Sequence, residues 1–137
     1  RASQEVSFLR KKKINFKVFS AITSSQASLS ITDNFFFNES KICNFLTGHK
    51  KINSSSQEVD YSNISKSKGK IFIYMGVSQI KEISKNLKKN KVCPEENVSI
   101  IKDASLVTQK IYKTNVKNCA LFIKKNNISS PAIIIIR

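Results

Sequence analysis

The stretch "KIFIYMG" at residues 70–76 constrains the fold of this chain more than any other part of its sequence. It places Ile71, Phe72, Ile73 and Tyr74 in a row. A strand with one face in water alternates apolar and polar residues, whereas an unbroken apolar run is typical of a strand covered on both faces. We therefore predict an internal strand here, with other elements packed above and below it.

The patterns that follow residue 41 predict a regular succession of elements around this strand. Their order is strand, helix, strand, helix, strand, strand, helix, strand, which is typical of a mixed α/β sheet flanked by helices. The predicted strands are residues 41–49, 70–76, 98–103, 109–114 and 130–136, and the predicted helices are residues 61–66, 78–91 and 115–127.

Two of the predicted helices carry start signals in the sequence. Asp60 and Ser78 are expected to cap them, because short polar side chains accept hydrogen bonds from the first turn of a helix. In the second of these helices Ile80, Ile83 and Leu87 recur at helical spacing, which predicts one buried face.

The segment before residue 41 has weaker patterns. Residues 5–13 predict the end of a helix with a basic last turn, and "FKVF" at residues 16–19 is a candidate strand. The small and polar stretch "AITSSQASLS" at residues 21–30 fits either a loop or a closely packed helix.

Composition bounds the size and the partners of the protein. The 137 residues suffice for one compact domain. Lys and Arg outnumber Asp and Glu by 24 to 9, and the net charge of +15 favours polyanionic partners. An AT-rich genome also encodes much Lys, Asn and Ile, so charge alone identifies no partner. The longest apolar run, residues 132–136, is too short to span a bilayer, and we expect no membrane partner.

Three cysteines and one histidine limit the redox and metal chemistry. Cys43, Cys93 and Cys119 are odd in number and widely spaced, which is not typical of a disulfide framework and favours reduced thiols in the cytoplasm. His49 is the only histidine, so a zinc site would need ligands from distant positions. We predict no metal site.

Met75 and Gly76 stand where the most distinct strand ends. Ligands of open α/β sheets bind beyond the carboxyl ends of strands. A glycine there lets another backbone or a ligand approach closely, and a methionine offers a soft, adaptable surface. The structural alternative makes Met75 a core filler and Gly76 a turn residue, and these two residues alone do not decide between the two interpretations.

Several segments form a colinear set of motifs: "RASQEVSFLRKKKINFKVFSAIT" at the N-terminus, "FLTGH" at 45–49, "DYSNISKSKGKIFIYMGV" at 60–77, "VSIIKDASLVTQK" at 98–110 and "SPAIIII" at 130–136. In this order they resemble the P-G-I-T segment, the T-G-H strand end, the Y-M-G strand, the V-E-N-G-T strand and the S-P-A-L-I-I-V strand of uroporphyrinogen-III C-methyltransferases, including the methylase half of siroheme synthase. Each motif alone is modest, but their common order covers essentially the whole chain.

The resemblance implies a fold and a reaction. Members of this family have two α/β domains with S-adenosylmethionine in the cleft between them, and they usually form dimers, so a homodimer is expected. They methylate pyrrole carbons of uroporphyrinogen III and give precorrin-2, on the way to siroheme or cobalamin. Such a transfer depends on positioning of donor and acceptor and on proton removal. A carboxylate-rich substrate also suits a basic surface.

The resemblance also marks individual residues. Thr23 and Ser24 match the family's I-T-A turn, Met75 matches the methionine of Y-M-G, and Ala104 stands at the glycine of E-N-G-T. These four residues are the expected contacts of the methyl donor. His49 matches the T-G-H signature, where it either caps a strand end or contacts the substrate. No catalytic residue can be carried over.

The chain also departs from the family pattern. The family's first strand, its G-x-G-P-G and G-G-D loops and its catalytic Asp and Lys have no counterpart here, and the chain begins with Arg rather than Met. We therefore expect an N-terminally truncated fragment, inactive in isolation. Residues 1–44 are predicted to be the remnant of a first, donor- and substrate-binding domain, and residues 45–137 a second α/β domain.

Two other functions are open to a chain of this composition. A basic, non-catalytic module for RNA or another anion needs exposed aromatic residues interleaved with Lys or Arg. "FFF" at residues 35–37 lacks that alternation and is flanked by Asp33 and Glu39, so nucleic-acid binding is not expected. The chain could also act as a non-catalytic partner that lends a domain to a dimer.

The predicted internal strand can be tested by amide hydrogen exchange. We expect the slowest exchange at Phe72 and Ile73, because amides in a strand covered on both faces open only with the whole domain. Rapid exchange at Phe72 and Ile73 would reject the fold prediction.

Overall fold

The structure, a computed structural model, describes residues 2–32, 41–48 and 59–137. The helices are α1 (Ser3–Lys11), α2 (Ser24–Ile31), α3 (Tyr61–Ser67), α4 (Ile80–Lys89) and α5 (Cys119–Lys125). The strands are β1 (Cys43–Thr47), β2 (Lys70–Tyr74), β3 (Asn97–Lys102), β4 (Lys110–Asn115) and β5 (Ala132–Ile136). A 3₁₀ turn, Val77–Gln79, precedes α4.

The strands form one sheet in the order β1-β2-β5-β3-β4. β1 is parallel to β2, whereas β5 lies between β2 and β3 and is antiparallel to both. β2 and β3 therefore point in the same direction, and α4 connects them. The mixed α/β sheet flanked by helices that the sequence predicts is confirmed.

β2 is internal to the sheet and covered on both faces, as its apolar run predicts. The side chains of Ile71, Phe72 and Ile73 are all 0% exposed. Ile71 and Ile73 join the larger core cluster on one face, and Phe72 joins a smaller cluster on the other. Complete burial of such side chains contributes about 1.5–3 kcal/mol each, so β2 is a main source of the stability of the sheet.

Three helices cover the first face of the sheet. Ile80, Ile83 and Leu87 of α4 are buried in the larger cluster together with residues of α3 and α5, which confirms the buried face predicted from their spacing. Cys119 at the start of α5 is 1% exposed, and burial raises the pKa of its thiol to about 12. This thiol is therefore uncharged and packs as a small apolar residue.

The second face of the sheet is covered by α2. Ser25, Ser28 and Leu29 are the buried residues of this helix, and Leu29 packs in the smaller cluster with Phe72 and Ile135. Serine side chains on the buried side let the helix axis approach the sheet closely. Of the two alternatives left open for residues 21–30, the structure adopts the closely packed helix.

The helix starts agree only in part with the sequence. Asp60 caps α3 as predicted, since its side chain accepts a hydrogen bond from the Asn63 amide at 3.0 Å. The predicted cap at Ser78 is wrong. Ser78 lies inside the 3₁₀ turn, where the Gln79 amide donates to the Gly76 carbonyl at 3.1 Å, and α4 starts at Ile80 without a side-chain cap.

The candidate strand at residues 16–19 is also wrong. These residues form no strand and pair with none of the five described strands. Val18 and Phe19 are 69% and 77% exposed, and Ile22 is 77% exposed. The preceding helix α1 has no buried residue. The N-terminal part of the chain thus leaves a run of apolar side chains uncovered by the described residues.

Some sequence features fall outside the described residues, namely His49, the "FFF" stretch at 35–37 and the serine-rich segment at 54–56. Within the described ranges, no helix has the length and apolarity needed to cross a membrane. Cys43, Cys93 and Cys119, all among the described residues, form no disulfide bond with one another.

Candidate functional site

Three of the four residues that the resemblance marks as donor contacts lie on one groove. Ser24, Met75 and Ala104 line an open groove with a volume of about 560 Å³. The groove lies beyond the carboxyl ends of β2 and β3, where β5 begins between them. Ligands of open α/β sheets bind at this edge. The fold therefore brings Ser24, Met75 and Ala104, which are far apart in sequence, to the edge of the sheet where a ligand is expected.

Thr23, the fourth predicted contact, caps α2 and is not among the described residues that line the groove. Its hydroxyl accepts a hydrogen bond from the Gln26 amide at 3.3 Å, and the Gln26 side chain accepts one from the Thr23 amide at 3.1 Å. This reciprocal capping box uses the polar groups of Thr23 to start the helix.

Met75 has a backbone conformation that residues other than glycine rarely adopt. Its φ is 52°, in the left-handed region, which costs roughly 1–2 kcal/mol for a residue with a Cβ atom. Such outliers persist only where the surroundings hold them, and they cluster at ligand sites. Met75 lines the groove at this point.

The adjacent glycine permits close packing rather than a left-handed turn. Gly76 has a φ of −87°, so it does not supply a left-handed turn. A Cβ atom on it would lie 2.5 Å from Cγ2 of Ile73, and a Cβ atom on Gly48 would lie 2.7 Å from the Cα atom of Gly76. The close backbone approach predicted for Gly76 is thus made by Gly48, whose amide donates to the Tyr74 carbonyl at 2.7 Å.

Sequence reasoning missed the link between Tyr74 and Ser25. The Tyr74 hydroxyl donates to Oγ of Ser25 at 2.8 Å and accepts from the Ser25 amide at 3.4 Å. Tyr74 lines the groove, whereas Ser25 is 1% exposed. No local pattern could have revealed this pair, because the two residues lie on elements that only the tertiary fold brings together.

Ala104 lies on a tightly folded loop between β3 and β4. Its neighbours Asp103 and Ser105 have φ values of 52° and 68°. The Asp103 carboxylate accepts hydrogen bonds from Nζ of Lys102 at 2.6 Å and from the Thr108 hydroxyl at 3.1 Å. The hydrogen bond from Lys102 lowers the pKa of Asp103 below its ordinary value, and the hydrogen bond from Thr108 makes a smaller contribution in the same direction. These contacts fix the backbone at Ala104.

The groove is suited to binding and positioning a ligand. Its described lining is mostly apolar, with Met75, Ile101 and Ile133, and it adds the hydroxyl of Tyr74 and the paired carboxylate of Asp103. No His or Cys is among the described lining residues, and the described residues contain no cluster of three potential metal ligands. The arrangement can hold a partly polar molecule against apolar side chains and backbone groups.

Comparison with known proteins gives a consistent result. A family model described as tetrapyrrole (corrin/porphyrin) methylases matches residues 1–120. Siroheme synthases from Pseudoalteromonas translucida and Hydrogenovibrio crunogenus are 28% and 25% identical to the chain over 99% of its length. The chain spans only 29% of the length of each of these relatives.

Solved structures share the fold. A cobalt precorrin-4 methyltransferase of cobalamin biosynthesis superposes with a TM-score of 0.85 at 16% identity, covering 98% of this chain and 57% of that one. A uroporphyrin-III C-methyltransferase from Thermus thermophilus, complexed with S-adenyl homocysteine, superposes with a TM-score of 0.79 at 19% identity, covering 99% and 56%.

The strain at Met75 can be measured by comparing two substitutions. We expect Met75→Gly to be more stable than Met75→Ala by about 1 kcal/mol, because both remove the side chain but only glycine adopts a positive φ without cost. Urea unfolding of the two variants gives the difference. The same pair at exposed Ser78 is the control, and there the alanine variant should be the more stable. Equal stabilities of the two Met75 variants would contradict a left-handed conformation.

The lowered pKa of Asp103 predicts a pH-dependent contribution to stability. An acid with a lowered pKa in the folded state stabilises the fold above its ordinary pKa, and this stabilisation is lost as pH falls through the folded pKa. Asp103→Asn should therefore destabilise the protein at neutral pH, with the difference from wild type vanishing in acid. Thermal unfolding across pH measures it.

Glu95→Gln is the matched control for this experiment. Glu95 and Lys117 form an ion pair of 3.8 Å with both side chains largely exposed, and such pairs contribute little to stability. A pH-independent effect of Asp103→Asn would show that the lost carboxylate acts through packing rather than charge.

Proposed function

Because the chain belongs to the tetrapyrrole methylase family, we propose that it forms part of an enzyme that methylates uroporphyrinogen III with S-adenosylmethionine and gives precorrin-2. The observation that carries this proposal is the meeting of Ser24, Met75 and Ala104 on one groove. The methyl donor would bind there, against backbone groups at the ends of β2, β3 and the start of α2.

The first turn of α2 supports a ligand at this groove. The amides of Thr23, Ser25 and Gln26 are occupied by side-chain acceptors, and the Ala27 amide donates to the Thr23 carbonyl. The Ser24 amide has no acceptor among the described residues, although Ser24 lines the groove. A bound ligand would supply this acceptor. Ser24 is exposed, so its amide, one of the first amides of a helix that have no acceptor within it, is open to a ligand in the groove.

The substrate proposal draws on charge and on the relatives. Uroporphyrinogen III is rich in carboxylates, and the net charge of +15 provides an attractive field for such a molecule. The relatives named as siroheme synthases and the structure named as a uroporphyrin-III C-methyltransferase favour this substrate among tetrapyrroles.

We propose that residues 1–44 belong to a first domain and that residues 45–137 form the second domain. The exposed apolar side chains of Val18, Phe19 and Ile22 support this division, because they have no described neighbour to cover them. α2 lies on the first-domain side of the boundary and yet packs against β5, so it would bridge the two domains. We also propose a cytoplasmic homodimer for the complete enzyme.

The isolated chain should bind the methyl donor poorly and should not methylate uroporphyrinogen III, because residues 1–44 supply only part of the first-domain side of the proposed cleft. Each hydrogen bond lost to a charged ligand costs roughly 1.5–3 kcal/mol, and a micromolar affinity corresponds to about 8 kcal/mol. Grafting the chain behind an intact first domain of a relative should restore both properties. Calorimetry with S-adenosylmethionine, on the chain alone and on the graft, measures the difference.

A graft that carries Met75→Lys is the control, because a cation and a longer side chain in the groove should block donor binding. Micromolar donor binding by the chain alone would show that the proposed cleft is placed wrongly. Tight RNA binding that persists in high salt would instead favour the basic binding module, since purely electrostatic attachment weakens steeply with salt.

A further inference from the structure

A chain of hydroxyl groups joins the end of β2 to the start of α2. The Tyr74 hydroxyl donates to Oγ of Ser25 at 2.8 Å, and Oγ of Ser25 lies 2.8 Å from Oγ1 of Thr23. Oγ1 of Thr23 in turn lies 3.3 Å from Oε1 of Gln26. This chain connects residues on two elements that form opposite sides of the groove.

The hydrogens of this chain all run in one direction. Since Tyr74 donates to Ser25, the Ser25 hydroxyl is free to donate to Thr23, and the Thr23 hydroxyl donates to Gln26. Every hydroxyl then has both a donor and an acceptor role within the protein. Each hydroxyl hydrogen therefore points toward the next residue of the first turn of α2. The chain of hydroxyl groups holds this turn in place.

Tyr74 itself is held firmly by the sheet. Its carbonyl accepts from the Gly48 amide at 2.7 Å, and it pairs with Thr47 of β1 and with Ile133 of β5. The phenol therefore extends from a fixed backbone. The Ser25 end is anchored less firmly, because α2 has only eight residues and short helices depend on tertiary contacts for their stability.

We propose that Tyr74 is a positioning residue whose hydroxyl sets the distance between the two walls of the groove. It holds the first turn of α2, and with it Ser24, opposite Met75 and Ala104. Without the hydroxyl, the start of α2 moves away from the sheet while the sheet itself is unchanged. The identity of the ligand rests on the proposed function, whereas the link between the walls does not.

The link is tested by amide exchange of the full chain with Tyr74→Phe, Ser25→Ala and the double variant. Each single variant should speed exchange at Ser28 and Leu29 in α2 by roughly 3- to 10-fold, the range expected for one hydrogen bond. Exchange at Phe72 in β2 should not change. The double variant should be no faster than the faster single variant, because both remove the same link.

Tyr112→Phe is the matched control. Its ring packs edge-on against Phe122 with ring centres 6.3 Å apart, and its hydroxyl has no hydrogen-bond partner among the described residues. This variant should leave α2 exchange unchanged. Unchanged α2 exchange in Tyr74→Phe, equal acceleration in β2, or additive effects in the double variant would each overturn the proposal.

A titration with S-adenosylhomocysteine separates the link from the proposed function. At millimolar ligand, amide shifts of Ser24, Met75 and Ala104 should report weak binding to the chain, and Tyr74→Phe should weaken it about 10-fold while Tyr112→Phe does not. Equal affinity in wild type and Tyr74→Phe would overturn the positioning role. If the wild-type chain shows no shift, the same titration is made on the graft, where absence of a shift would overturn the donor proposal, and the exchange results still decide the link.

Discussion

Burial of β2 on both faces is the constraint on which the rest of the structure depends. Its central residues, Ile71, Phe72 and Ile73, have no exposed surface, so each side of the strand needs a covering layer. α4 and its neighbours cover one side and α2 covers the other. β2 is covered on both faces and paired on both edges. The residues at its carboxyl end are therefore held in a conformation that an unfolded chain would not keep.

The end of β2 shows how this rigidity is used. At Gly48 and Gly76 two backbones come so close that no Cβ atom would fit. Met75, which joins the end of β2 to Gly76, takes a left-handed conformation. The surrounding packing offsets the conformational cost of Met75. The result is a groove edge that presents a methionine and nearby backbone groups in a fixed orientation, which suits a site that works by positioning its ligand.

The wall of the groove that α2 forms is anchored less firmly than the wall that the sheet forms. α2 packs through small residues and through Leu29, and its first turn is tied to the sheet by Tyr74. It is preceded by a segment whose apolar side chains are exposed. The groove therefore joins a rigid sheet to a less firmly anchored helix, as expected for the proposed ligand site between two domains.

The sequence by itself determined the order of strands and helices, the internal position of β2 and the buried face of α4, because these follow from local periodicity and from the apolar run at residues 71–74. The motif order also led to the family and to four predicted donor contacts, Thr23, Ser24, Met75 and Ala104, of which the last three line the groove. Only the tertiary structure decided that Thr23 caps a helix, that Gly48 is needed for space against Gly76, and that Tyr74 binds Ser25. Each of these depends on the distance between elements far apart in the chain, which no local pattern of residues encodes.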